Sequence, residues 1–263
     1  MKSAFKDFEI EEIREPLRHP PSRQEVWRAE FHALIEQREF SGGEIIRRQR
    51  MLGDEYFQKN LLDQDILLLA RRAGEIVGLV SGRGLRLENG NFLYYYTLTE
   101  ISDQLRERMD LCLKMNTRLM VRGLLDYRRE NPGARSMPAA TRTFNLFIAM
   151  NFLRLVRDVH PAFDGADVPG EYVSLHRALK EMTEEEIAPS GLSGPDLRRI
   201  ELPRREDFKT FRACVREALK RIEYPNHIVF IGNQVFDDAL LAFAEEHSSF
   251  NESYLRDARS IRG

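Results

Sequence analysis

Between residues 65 and 100 the chain alternates apolar runs with short turn-forming breaks. The runs at 66–70 and 76–81 flank a brief Arg-Arg-Ala-Gly-Glu connection. A third run at 92–98, rich in tyrosine, follows Glu88-Asn89-Gly90. Short β-rich runs joined this way predict two consecutive hairpins, hence a three-strand antiparallel meander. Asn-Gly supplies residues that tolerate the positive φ of a tight turn.

On either side the pattern changes period. Phe8 to Ile13 reads as a first strand, broken by prolines at 16, 20 and 21. Ser22 with Glu25 three residues on forms a capping-box pattern, predicting a helix over 23–39. Ser41-Gly-Gly opens a second helical stretch to about Leu62, with Ile45, Ile46, Met51, Leu52, Tyr56 and Phe57 at helical spacing. Residues 109–129 form a further predicted helix, with Leu113, Leu119, Met120, Leu124 and Leu125 as its core positions and Asn131-Pro-Gly133 as its stop. A strand is expected over 135–143, where Pro138 removes a ladder donor. An apolar helix over 144–159 and a strand over 171–179 complete this part.

The stretch at 183–196 has linker composition, dividing the chain into domains at 1–182 and 197–263. Beyond it lie a helix at 205–221, a strand at 226–232 and an amphipathic helix at 235–246. A lone strand cannot satisfy its own backbone, so this one is expected to join an edge of the first sheet or that of a second subunit. Gly232, read as lying between that strand and a helix, is a single glycine and too little to indicate a nucleotide site.

Composition narrows the functional classes. With 42% apolar and 31% charged residues and a net charge of −2, the chain has a globular composition without the basic excess of a nucleic-acid or anionic-membrane binder. No apolar run is long enough to span a bilayer, and the first residues lack a signal-peptide core. Two cysteines, Cys112 and Cys214, at no metal-ligand spacing fit a reducing cytoplasm. The six histidines form no zinc-binding pair, so no metal site is expected.

The Ala-Gly-Glu-Ile-Val-Gly turn and strand, set in a strand, two helices, meander, helix, strand, helix, strand order, resembles the GNAT acyltransferase superfamily. The resemblance covers about residues 5–180 and includes Leu124-Leu-Asp-Tyr-Arg-Arg-Glu130 as the end of the cofactor-binding helix. It implies an α/β fold with a mixed, mostly antiparallel central sheet flanked by helices, carrying a small C-terminal αβα extension. It also implies acyl transfer from a thioester, on acyl-CoA or on the phosphopantetheine of an acyl carrier protein, to an amine of a small molecule or peptide. No permanently bound cofactor is implied. The donor would lie along Leu98, Thr99 and Ile101, near Asn116 and Asn145. Glu100, at the strand end, would be the general base; the other reading is an exposed strand-end acid or a neighbour of a helix N-cap.

Two departures bear on that chemistry. The family grips pyrophosphate with a glycine loop whose backbone N–H groups close on phosphate oxygens at a helix N-terminus. Residues 101–117 contain no glycine, and side chains there would crowd the phosphates. The family's general-acid tyrosine, seven residues after its helix asparagine, falls on Phe152 when counted from Asn145, and phenylalanine has no proton to give.

Other candidates carry two readings each. Tyr94 and Tyr96 share one strand face and either line a ligand cleft or pack in the core. Arg106, Arg108, Lys114, Arg118 and Arg122 either grip cofactor phosphates or an acidic carrier-protein surface, or form a solvated face balanced by Asp103, Glu107 and Asp110. Cys112 has arginines near it in sequence but no histidine, so an inert buried thiol is expected. Two functions follow: an N-acyltransferase, or a non-catalytic GNAT-like binding module, either of them a candidate homodimer. Binding of phosphopantetheine beside the fourth strand discriminates them.

Overall fold

A computed structural model describes residues 8–38, 44–87, 90, 92–105, 109–143, 146–160, 170–183 and 228–238. Its strands are β1 (Glu9–Arg14), β2 (Ile66–Arg72), β3 (Glu75–Arg86), β4 (Phe92–Ile101), β5 (Ser136–Thr143), β6 (Arg157–His160) and β7 (Ile228–Val235). They form a seven-stranded sheet in the order β1-β2-β3-β4-β5-β7-β6. The β1–β2, β2–β3, β5–β7 and β6–β7 pairings are antiparallel. The protein is thus a mixed α/β chain with a mostly antiparallel sheet and flanking helices, in the element order that the resemblance implies.

The chain forms two compact units. The first holds residues 1–84, 96–133 and 236–263, the second 85–95 and 134–235. In the first, β1 shows how the layers are arranged. Successive strand residues point to opposite faces. Glu11 accepts from Arg23 of α1 (Pro21–Glu36), while Glu12 accepts from Arg122 of α4 (Met109–Glu130). Helices α1 and α4 therefore cover opposite faces. Beneath α1 lies a core of Trp27, Phe31, Leu34 and Ile35 against Ile13, Leu67, Leu69, Leu79 and Leu98. On α4, Leu111, Met115, Leu119, Met120 and Leu124 are buried, while Leu125 is half-buried.

Helix α1 begins without the expected capping box. Its N-cap is Pro20, no side chain caps it, and Pro21 stands at the first helical position, where a missing N–H costs nothing. The single helix expected over 41–62 is broken as well. It comprises α2 (Glu44–Met51), a break at Gly53, α3 (Asp54–Phe57) and a π turn over Gln58–Leu62. The wider turn buries Phe57, Leu61 and Leu62 together. Side chains take up nearby carbonyls: Ser81 Oγ donates to Asn60 O at 2.7 Å and Asn60 Nδ2 to Tyr56 O at 2.9 Å.

The first hairpin is a two-residue turn with Ala73 at φ 52° and Gly74 at φ 87°. Two consecutive positive φ values match the right-handed twist of the flanking strands. At the second hairpin, Gly90 has φ 80° and its N–H donates to Leu87 O, while Glu88 and Asn89 lie outside the described residues.

The second unit holds two corrections. Residues 171–179 belong to a helix, α6 (Gly170–Thr183), not a strand. Tyr172 and Leu179, seven apart, pack into one core with Leu85, Leu93, Tyr95, Ala140, Val229 and Ile231, which is helical spacing. The helix expected over 144–159 stops at Leu155 as α5 (Leu146–Leu155), and Arg157–His160 turns into β6 with Asp158 at φ 47°.

Strand β7 joins the sheet as expected, though in its interior, between β5 and β6, and not at an edge. Its Val229 and Ile231 pack with α6, while Phe230, on the alternate face, meets Phe152 of α5 at 6.3 Å between ring centres. Gly232 lies within β7, between Ile231 and Asn233, and serves close packing. Of the C-terminal extension, residues 205–221 and most of 235–246 lie outside the described residues, as does the 184–196 part of the expected linker.

Two stability outcomes follow. Ala73 adopts a left-handed conformation that costs an L-residue with a Cβ about 1–2 kcal/mol. Replacing it by Asn or Gly is expected to raise unfolding free energy by about 1 kcal/mol in a urea titration with unchanged slope. At Gly232 a Cβ would meet Arg157 O at 2.5 Å and Val156 Cγ1 at 2.8 Å. Gly232→Ala is expected to cost about 1–3 kcal/mol, read the same way, because backbone must move.

Candidate functional site

The candidate site residues cluster at the end of β4. Alternation splits its side chains between the two helical layers of the first unit. Leu98 and Glu100 share the α1 face: Leu98 joins the α1 core, and Glu100 meets Arg38, just past the end of α1. Thr99 turns to α4, where its Oγ1 donates to Asn116 Oδ1 at 3.1 Å. Ile101 shares that face, with its Cδ1 over Gly78 beside Met115 Sδ.

Glu100 is 3% exposed, so it is not a solvated strand-end acid. Its carboxylate accepts a hydrogen bond from Arg38 Nη1. The same guanidinium forms an ion pair with Asp103, Nε to Oδ1 at 3.5 Å. The Arg38 side chain is only 10% exposed and that of Asp103 19%. Two carboxylates thus converge on one enclosed cation.

Where the family pattern would place its glycine loop, β4 runs through buried Ser102 into a 3₁₀ turn, Asp103–Leu105, with Leu105 buried. Asp103 brings negative charge to this turn. That is the opposite of what a phosphate cradle requires.

Among the other candidates, Asn116 is buried and uses both ends of its amide inside the protein. Oδ1 accepts from Thr99 and Nδ2 donates to Cys112 O at 2.9 Å. Arg118 and Arg122 turn toward Glu12 on β1, at 3.4 and 2.8 Å. Lys114 is half-buried. Tyr94, Tyr95 and Tyr96 are all buried, which fits the core reading of the tyrosine run. Phe152 is buried against Phe230. Arg106, Arg108 and Asn145 lie outside the described residues. Arg38 was not legible in the sequence, since no spacing rule links the end of a helix to a strand 62 residues later.

No family model matches the chain, and no curated protein does. Solved structures similar to it are GNAT-family acetyltransferases. One from Staphylococcus aureus is 19% identical over 62% of this chain and 91% of its own, with TM-score 0.35. Another, from Streptococcus pneumoniae, is 13% identical over 58% and 88%, with TM-score 0.32. An aminoglycoside acetyltransferase from an uncultured soil metagenomic sample is 18% identical over 44% and 72%, with TM-score 0.31.

Among the described residues, no group of three or more His, Cys, Asp or Glu side chains could hold a metal ion. No described helix is long and apolar enough to cross a membrane.

Cys112 faces Asn116, whose Nδ2 lies 3.5 Å from Sγ. Burial, with a smaller contribution from the Glu100 charge, pushes the thiol up to about 12 and outweighs the Asn116 hydrogen bond. The thiolate is the nucleophile, so Cys112 is unsuited to covalent catalysis. In a Cys214→Ser background at pH 8, labelling of native Cys112 by Ellman's reagent is expected to run about 10³-fold slower than that of free cysteine, in line with its thiolate fraction. Denaturation should restore the ordinary rate.

Proposed function

We propose that this chain is an N-acyltransferase, moving an acyl group from a thioester to an amine. The observation that carries the reading is Glu100: a buried carboxylate at the end of β4, the position where the family resemblance expects a base beside the acyl donor. The element order supports the same reading.

In the proposed step an ammonium acceptor loses a proton to Glu100, and its nitrogen lone pair attacks the thioester carbonyl. The tetrahedral intermediate then collapses, the C–S bond breaks, and the sulfur leaves as a thiolate that receives, through water, the second proton lost by the nitrogen as the amide forms. Phe152 supplies no proton for that last event.

The donor proposed is an acyl chain on a carrier-protein phosphopantetheine in preference to free acyl-CoA. The β4–α4 connection supports this. It contains no glycine among 101–117 and holds Asp103 where pyrophosphate would be gripped. A carrier protein brings its own contact surface, so less of the donor's affinity depends on a phosphate cradle.

The Arg38 contact favours a second reading, a non-catalytic binding module, because the Glu100 carboxylate is already engaged by a guanidinium within the protein.

Calorimetry and turnover assays with acetyl-CoA, a long-chain acyl-CoA and an acyl carrier protein thioester separate these readings. Acetyl-CoA is expected to bind weakly or not at all. A low-micromolar dissociation constant would show that 101–117 cradles phosphate by another route. With an active donor, Glu100→Gln is expected to lower the rate by about 10²–10⁴-fold and to remove the base from the pH–rate profile. An unchanged profile would remove Glu100 from the mechanism. Absence of turnover with every thioester would favour the binding module.

A further inference from the structure

The strand segment that carries Glu100 is held by two matching side-chain clamps. Thr97 Oγ1 donates to Gln64 Oε1 at 2.7 Å, and Gln64 Nε2 donates to Lys59 O at 2.5 Å in the π turn. Thr99 repeats the pattern with Asn116, whose Nδ2 donates to Cys112 O of α4. The direction of each clamp is fixed. A backbone carbonyl only accepts, so the amide turns its nitrogen to that carbonyl and its oxygen to the strand, and the threonine hydroxyl must donate. Gln64 is 3% exposed and Thr97 8%. Polar groups buried this deeply gain little net stability over apolar packing, whereas a satisfied polar network rigidifies its surroundings and specifies one arrangement.

We propose that Gln64 is a positioning residue for Glu100, acting through Thr97. The two clamped threonines stand three residues and one residue before Glu100, on the part of β4 that belongs to the first unit with α1, the π turn and α4. Threonine is stiff at χ1, so a hydroxyl held in place also holds the backbone from which it springs. The sheet ladder sets the register of β4. Gln64 sets its distance from the π turn, as Asn116 sets its distance from α4, and the place of the next side chains follows. Glu100 therefore meets Arg38 from a strand end that cannot rock. The use of Glu100 as a base rests on the acyltransferase reading, but the hold that Gln64 has on it does not.

The test is carbodiimide coupling of glycine ethyl ester to the full-length protein with no thioester present, read carboxylate by carboxylate by mass spectrometry. Glu30 of α1, held by Arg71, is the internal reference. Thr97→Val keeps the shape and removes the hydroxyl, and is expected to raise labelling of Glu100 at least about tenfold relative to Glu30. Thr97→Ser restores the donor and is expected to stay near the unmodified ratio. Gly232→Ala, which destabilises from the second unit, should leave the ratio unchanged. An unchanged ratio in Thr97→Val, or an equal rise in Thr97→Ser or Gly232→Ala, would overturn the proposal.

Should Thr97→Val fail to fold, Gln64→Met is read in the same way, and an unchanged ratio there overturns the proposal. With an active thioester donor, Thr97→Val is expected to lower kcat by about 10²-fold at nearly constant KM, as a misplacement of about 1 Å would. An unchanged kcat would overturn the positioning role. A ratio that rises in a protein without turnover on any donor overturns only the acyltransferase reading.

Discussion

A carboxylate cannot leave water without a cation or several hydrogen-bond donors, and at Glu100 the cation is Arg38. This requirement ties the end of β4 to the end of α1. Leu98 two residues earlier packs into the α1 core, so the carboxylate is carried on a strand whose orientation apolar burial has already set. Thr99, on the other face, reaches Asn116 and fastens the strand to α4. The candidate site is thus a polar contact at the rim of an apolar layer.

The same division of labour recurs on β1. Ile13 enters the core under α1, while Glu11 and Glu12 bind arginines of the two helical layers. Arg71 extends the clip, meeting Glu30 of α1 through both guanidinium nitrogens and Glu11 through Nε. On the opposite face, Arg118 and Arg122 meet Glu12. Their sequence placement left a phosphate grip, a carrier-protein contact and a solvated face all open, whereas a charged side chain on a helix goes to whichever opposite charge the packing brings near. Glu12 on the neighbouring strand is that charge.

The proposed reading of function leans on the turn that follows β4. A 3₁₀ turn with an acidic residue and buried Leu105 occupies the start of the β4–α4 connection. Asp103 of that turn forms an ion pair with the same guanidinium that meets Glu100.

The meander, the first strand, the long helix α4 and the sheet partnership of β7 were legible in the sequence, because each rests on local signals. Period-2 apolar runs, a turn with Ala73-Gly74 and an Asn-Pro-Gly stop act over a few residues. Glu100 was legible too, as a carboxylate at the end of a strongly β run. What the sequence could not decide depended on non-local partners. Residues 171–179 read as a strand until Tyr172 and Leu179 found one core at helical spacing. Arg157–His160 read as helix until β7 offered an edge to pair with. The capping box at Ser22 lost to Pro21 at the helix start. Arg38 acquired its meaning only when folding brought the end of α1 to the end of β4. Local periodicity fixes which residues are buried, but which charge a buried carboxylate meets is set by tertiary packing, and no spacing along the chain encodes it.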